Sequence, residues 1–181
     1  MTFTPLGYIK TLGFEITLIV IPVTVGAIVL GPVSGAILGV VFGVTSFIQC
    51  FGMSSLGVII LAINPVTTFI VCLVPRVLMG WLTGLIFQRL KKVDKKKYMS
   101  YAVTSISGAL LNTVFFMTLL IIFFYHTEGF QAVITSVGSN SIIGFFIAAA
   151  GLNAIVEAIV CLIVGTAVSK ALDVYVKRYA A

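Results

Sequence analysis

Apolar residues in this chain come in long uninterrupted runs. Five stand out: Ile16 to Leu30, Val33 to Phe51, Val66 to Phe87, Tyr101 to Tyr125, and Ile142 to Ser169. A helix needs roughly 20 residues to cross a hydrocarbon core of about 30 Å, and these runs are near that length. They lack the period of two that marks the strands of an outer-membrane barrel. The pattern predicts an all-α integral membrane protein, one membrane domain over residues 1–181. A sixth apolar piece, Val58 to Ile63, lies between Gly57 and Asn64-Pro65. It is too short to cross and is expected to cap the bundle as a loop.

Small residues recur every four positions on several runs. Ala27, Gly31, Gly35, Gly39 and Gly43 form one series, Gly80 and Gly84 another, and Ala150, Ala154 and Ala158 a third. Such faces let membrane helices approach closely, since no hydrophobic force drives helices together inside lipid. Packing within the bundle is the simpler reading, and contact with a partner subunit is the alternative.

Composition turns the pattern into a class. With 60% hydrophobic residues, 9% charged and a mean hydropathy of +1.23, the chain cannot cover a water-facing surface. Its formal charge of +6 does not indicate nucleic acid, because the basic residues flank apolar runs where the positive-inside rule accounts for them. Arg89 to Lys97 holds six basic residues, and Lys170, Lys177 and Arg178 follow the last run. Both segments are therefore expected in the cytoplasm, with 89–97 as a basic loop. The 127–140 loop, which has Glu128 and neither Lys nor Arg, is expected outside, as is 52–64. Traced backwards, this topology starts the chain outside. Met1 to Lys10 lacks the basic n-region and cleavage site of a signal peptide, so a further N-terminal helix is expected in the intact protein.

Arg76 is the anomaly, a charge within the run Val66 to Phe87. At membrane depth an unpaired charge costs on the order of 3 kcal/mol or more. With a rise of about 1.5 Å per residue, Arg76 lies about 20 Å from the basic anchor at Arg89. Asn112, Asn153 and Glu157 fall at about 20 to 26 Å from their own anchors, and Ser46 and Gln49 reach the same band counted from Gly31-Pro32. Four runs thus bring their most polar side chains to one level, as a solute pocket between helices requires. Arg76 suits an anionic ligand, because its planar fork matches a carboxylate in two bonds. Each residue also has a plainer reading. Arg76 and Glu157 can form an interhelical ion pair, Asn112 and Asn153 can bond helix to helix, and Trp81, a candidate pocket wall, can face lipid. Pro75 removes a backbone donor beside Arg76 and is expected to kink the helix.

Catalytic chemistry is not expected. No paired carboxylates, HExxH or Ser/His/Asp arrangement occurs, nor a GxxxxGK[ST] phosphate loop. Cys50, Cys72 and Cys161 lack metal-ligand or redox spacing and read as small core residues. Neither a metal nor a cofactor is expected.

The run from Ile21-Pro22 through Gly31-Pro32 to Phe47 resembles the second and third helices of the substrate-binding S components of energy-coupling factor (ECF) vitamin transporters. Asn64-Pro65, Pro75-Arg76 with Met79-Gly80-Trp81, Ser107 to Asn112, and Gly151 to Ala158 extend the resemblance across most of the chain. It is strongest to the pantothenate-specific group. The resemblance implies a six-helix fold whose first helix has no counterpart here, and with it the AxxxA face that S components usually turn to their partner. It also implies an extracytoplasmic pocket closed by the 52–64 segment as a gating loop. The implied partners are a transmembrane T component and two cytoplasmic ATPases, whose ATP use topples the S component to release substrate inward. Pantothenate, with a carboxylate, an amide and hydroxyls, would then meet Arg76 and Asn112, helped by Asn153, Ser46 or Gln49. The alternatives are a pyridoxine-like or pyrimidine ligand, an autonomous secondary transporter, or a structural or assembly protein in which the polar band only holds helices together.

Overall fold

The computed structural model describes residues 8–11, 14–17, 19–93, 98–136, 144, 151 and 154–179. Its first described element is a two-stranded antiparallel hairpin, β1 (Tyr8–Thr11) and β2 (Phe14–Thr17), which pairs Tyr8 with Thr17 and Lys10 with Glu15. The other described elements are helices: α1 (Val20–Leu30), α2 (Pro32–Gln49), α3 (Ser55–Ile63), α4 (Pro65–Val93), α5 (Tyr98–Phe124), α6 (Glu128–Ser136) and α7 (154–179). Within α7, Cys161–Gly165 opens into a π-turn. Four of these helices are long and apolar enough to cross a membrane, which agrees with the expected helical membrane class.

Four segments differ from the sequence expectation. The run Ile16 to Leu30 is not one long helix, because β2 takes its first residues and α1 keeps 11. Hydropathy alone does not distinguish a strand from a helix in a run rich in β-branched residues. The piece Val58 to Ile63 is helical, since Ser54 accepts a hydrogen bond from the Gly57 N–H (3.3 Å) and starts α3. Likewise α6 occupies most of the expected 127–140 loop. At the basic end α4 runs through Val93, so 89–93 is helix rather than loop. Lys91 and Lys92 lie in its last turn, where cations offset the negative end of the helix dipole.

Local chemistry sets the turns between helices. Gly31, with φ of +98°, reverses the chain between α1 and α2, and Pro32 opens α2. Asn64 Oδ1 accepts from the N–H groups of Val66 (3.1 Å) and Thr67 (3.2 Å), and Pro65 opens α4. Thr68 Oγ1 donates to the Ile60 carbonyl at 2.8 Å, tying α4 back to α3.

The glycine series packs helix against helix inside this chain. A methyl group at Gly35 would press on the Gly80 carbonyl and come within 2.7 Å of Ala27 Cβ. One at Gly39 would meet the Arg76 carbonyl, and one at Gly43 would lie 2.8 Å from Leu73 Cα. The backbones of α2 and α4 are therefore in direct contact along three turns. The opposite face of α2, with Val33, Ile37, Val41 and Ile48, is exposed and apolar, as a lipid-facing surface requires.

Two of the three apolar clusters in the described interior border the polar residues, the third being Ile28, Phe87 and Tyr101 toward the basic end. Val71, Met117, Leu120 and Phe124 of the long helices pack with Ile60 of α3 and with Phe130 and Ile134 of α6. Val20, Val23, Phe42, Met79, Ala109 and Cys161 form the second, nearer the basic end. Arg76 lies between Val71 and Met79, and Asn112 lies between Ala109 and Met117. The polar level is thus sandwiched between the two clusters, with α3 and α6 roofing the upper one.

Gly35→Ala should destabilise the protein by about 1–3 kcal/mol, since the atoms in its way are backbone and cannot swing aside. Val41→Ala, on the exposed face, should change stability by less than about 0.5 kcal/mol. Thermal unfolding of both variants in detergent checks this contrast.

Candidate functional site

Pro75 and Arg76 act together. Pro75 lies within α4 and has no N–H, so the Val71 carbonyl, four residues earlier, loses its ordinary helical partner. Arg76 replaces it: Nη1 donates to the Val71 oxygen at 3.0 Å. The side chain folds back toward the start of α4, the direction in which helical side chains lean. Five residues of rise carry the guanidinium about 7 Å from its own backbone level. Two aromatic rings flank it. Arg76 Cζ lies 4.4 Å from the centre of Phe116 on α5 and 5.4 Å from that of Phe42 on α2. Cation–π contacts of this kind contribute about 0.5–2 kcal/mol each, more where water is excluded, and Arg76 is 8% exposed.

Asn112 lies one turn from Phe116 on α5 and is 7% exposed. Its Oδ1 is buried and has no hydrogen-bond partner in the structure. A buried acceptor in that condition costs about 1–3 kcal/mol, so the position suits a donor brought in by a ligand. Glu157, on α7, is 6% exposed. Gln49, the last residue of α2, is buried. Ser46 is half-buried one turn before Cys50, and its carbonyl accepts from the Cys50 thiol at 3.4 Å. Asn153 falls outside the described residues.

The expectation for Trp81 needs correction. It is 45% exposed, on the outside of α4. Five residues after Arg76, at about 100° per residue, it points well away from the guanidinium and does not wall this level. Phe51 is also exposed. The aromatic walls are instead Phe42 and Phe116, which sequence reasoning passed over. The signal for Phe116 was its four-residue spacing from Asn112, which puts both on one helix face. Phe42 had no comparable signal, since its approach to Arg76 follows from the α2–α4 glycine contact.

This arrangement positions a cation inside an apolar bundle without exposing it to water. It can present a guanidinium to an anion and a carboxamide to a polar group one turn deeper. Pro75→Ala should restore the N–H that competes for the Val71 carbonyl. Thermal stability should hold or rise, while the guanidinium loses its fixed position. The Arg76 side-chain N–H signals in NMR should be protected from exchange in wild type and should broaden or shift in this variant.

The pantothenate transporter PanT of Leuconostoc mesenteroides subsp. mesenteroides is 28% identical over 173 residues, covering 94% of this chain and 80% of that relative. Residues 1–169 match the model of the family described as ECF transporter, substrate-specific component. With four helices long and apolar enough to cross a membrane, the chain belongs to this family of multi-pass cell-membrane subunits, which bind a vitamin for transport and are not themselves enzymes.

Proposed function

We propose that this protein is the pantothenate-binding subunit of an ECF transporter. The observation that carries the reading is the Arg76 guanidinium, held at a buried level by the Val71 carbonyl and by Phe42 and Phe116. A fixed cation there suits a ligand with a carboxylate. Asn112 supplies an acceptor for an amide N–H or a hydroxyl, and pantothenate has both. Glu157, Gln49 and Ser46 would orient the guanidinium or meet the remaining hydroxyls, with Asn153 as a further contact. The similarity to PanT favours pantothenate over a pyridoxine-like or pyrimidine ligand. The roof of α3 and α6 would be the extracytoplasmic cover, with the 52–64 segment as its gate. A T component and two cytoplasmic ATPases would drive inward release.

Binding of radiolabelled pantothenate to the purified protein tests this directly. Charge-assisted hydrogen bonds contribute about 1.5–3 kcal/mol, so Arg76→Ala should bind roughly 10- to 100-fold more weakly. Asn112→Ala should weaken binding by roughly 5- to 10-fold and leave folding intact. If Arg76→Ala binds as tightly as wild type but melts earlier, the residue holds the bundle together and does not anchor a ligand. Mass spectrometry of co-purified small molecules gives an independent result, and a different vitamin there would overturn the pantothenate assignment.

A further inference from the structure

Cys50 and Cys72 lie 22 positions apart in sequence, yet their sulfurs are 3.8 Å apart and both residues are buried. Their places in the fold matter. Cys50 directly follows α2 and forms the joint to α3. The Gln49 carbonyl accepts from the N–H groups of Met53 (3.0 Å) and Ser54 (3.1 Å), and the first turn of α3 closes over Cys50. A methyl group at Gly57 would lie 2.9 Å from Cys50 Sγ. Cys72, on α4, is next to Val71, whose carbonyl holds Arg76, and one turn from Arg76 itself. The pair therefore spans from the joint below the α3 roof to the helix that carries the guanidinium.

A disulfide has an S–S bond of about 2.05 Å and a Cα separation of about 4.4–6.8 Å. Closing the present gap needs the sulfurs to approach by about 1.8 Å, within reach of side-chain rotation plus a small shift of the joint. The surrounding packing favours this pairing over any other. Phe47 meets Phe69 edge to face at 5.1 Å, holding α2 and α4 together at this level. Cys161 lies in a separate cluster, with Val20, Phe42 and Met79.

We propose that Cys50 and Cys72 form a redox modification site, in which a small hydroperoxide converts them to a disulfide that fastens the α2–α3 joint to α4. One sulfur attacks a peroxide oxygen, the O–O bond breaks, and a sulfenic acid and one water result. The second sulfur then displaces the sulfenic hydroxyl, which leaves with that thiol's proton as a second water. Two thiols lose two electrons, and one hydrogen peroxide becomes two waters. The product ties the α2–α3 joint, just ahead of Ser55 where α3 begins, to the helix of Arg76, which restrains the roof from lifting off the polar level. The effect on ligand exchange rests on the function proposed above, whereas the disulfide and the stiffening of α3 do not.

The experiment uses the full chain in lipid nanodiscs, treated with hydrogen peroxide, quenched, unfolded and alkylated. Two of the three cysteines should resist alkylation until a reductant is added, and peptide mapping should link Cys50 to Cys72. Backbone hydrogen exchange over 55–63 should slow several-fold on oxidation. Cys50→Ser and Cys72→Ser should each abolish both effects, and Cys161→Ser neither. Full alkylation of Cys50 and Cys72 after peroxide, a link to Cys161, or unchanged exchange over 55–63 overturns the proposal. In oxidised wild type, bound radiolabelled pantothenate should also dissociate several-fold more slowly, and reductant should reverse this; an unchanged rate rules out the gating role. Failure of the reduced protein to bind pantothenate counts against the ligand assignment, while the thiol and exchange readouts still decide the modification site.

Discussion

Inside a bilayer every backbone carbonyl needs a donor from the protein, and Pro75 takes one away from Val71. Arg76 supplies it from the next position in sequence, with Nη1 at 3.0 Å from the Val71 oxygen. The arginine is then oriented by a need of its own helix before any ligand enters. An arginine that dangled would be drawn toward the membrane surface, whereas this one is held at a fixed depth. The buried polar level depends on that bond, because the guanidinium is its only group with a full positive charge among the described residues in the interior.

Holding a cation at that depth requires neighbours that exclude water without demanding a rigid geometry. Phe42 and Phe116 meet this need with their ring faces. They reach Arg76 from two different helices, so the site depends on how closely those helices come together. Gly35, Gly39 and Gly43 set the approach of α2 to α4. A larger side chain at Gly39 would push against the backbone of Arg76 itself. The small-residue face is thus part of the site's construction, and its role is close packing within the chain.

The short helices give the polar level its cover. Ile60 of α3 and Phe130 and Ile134 of α6 pack with Val71, Met117, Leu120 and Phe124, so the roof stands on the helices that carry Arg76 and Asn112. Any solute reaching the polar level from that end must disturb this apolar contact. The roof helix α3 is attached to the long helices at both ends, to α2 through the joint at Cys50 and to α4 through Asn64.

Much of this was legible in the chain. Long apolar runs dictate membrane helices because lipid leaves a backbone few other solutions, and polar residues stand out in such runs because their cost there is high. Arg76 and Asn112 were found that way, and the four-residue glycine spacing marked the α2–α4 contact. Other features depended on contacts between distant segments. Hydropathy treats Val58 to Ile63 as too short to cross, yet a serine cap and packing on α4 and α6 make it a roof helix. Trp81 is a candidate wall by residue type, but helical rotation turns it outward. Phe42 beside Arg76 and Cys50 beside Cys72 come from different helices. Membrane class, polar residues and small faces can be read along one chain, since they follow from transfer costs and periodicity. Which aromatics enclose the guanidinium, what covers it and which thiols meet emerge in the folded bundle, because they depend on how separate helices rotate and pack against each other.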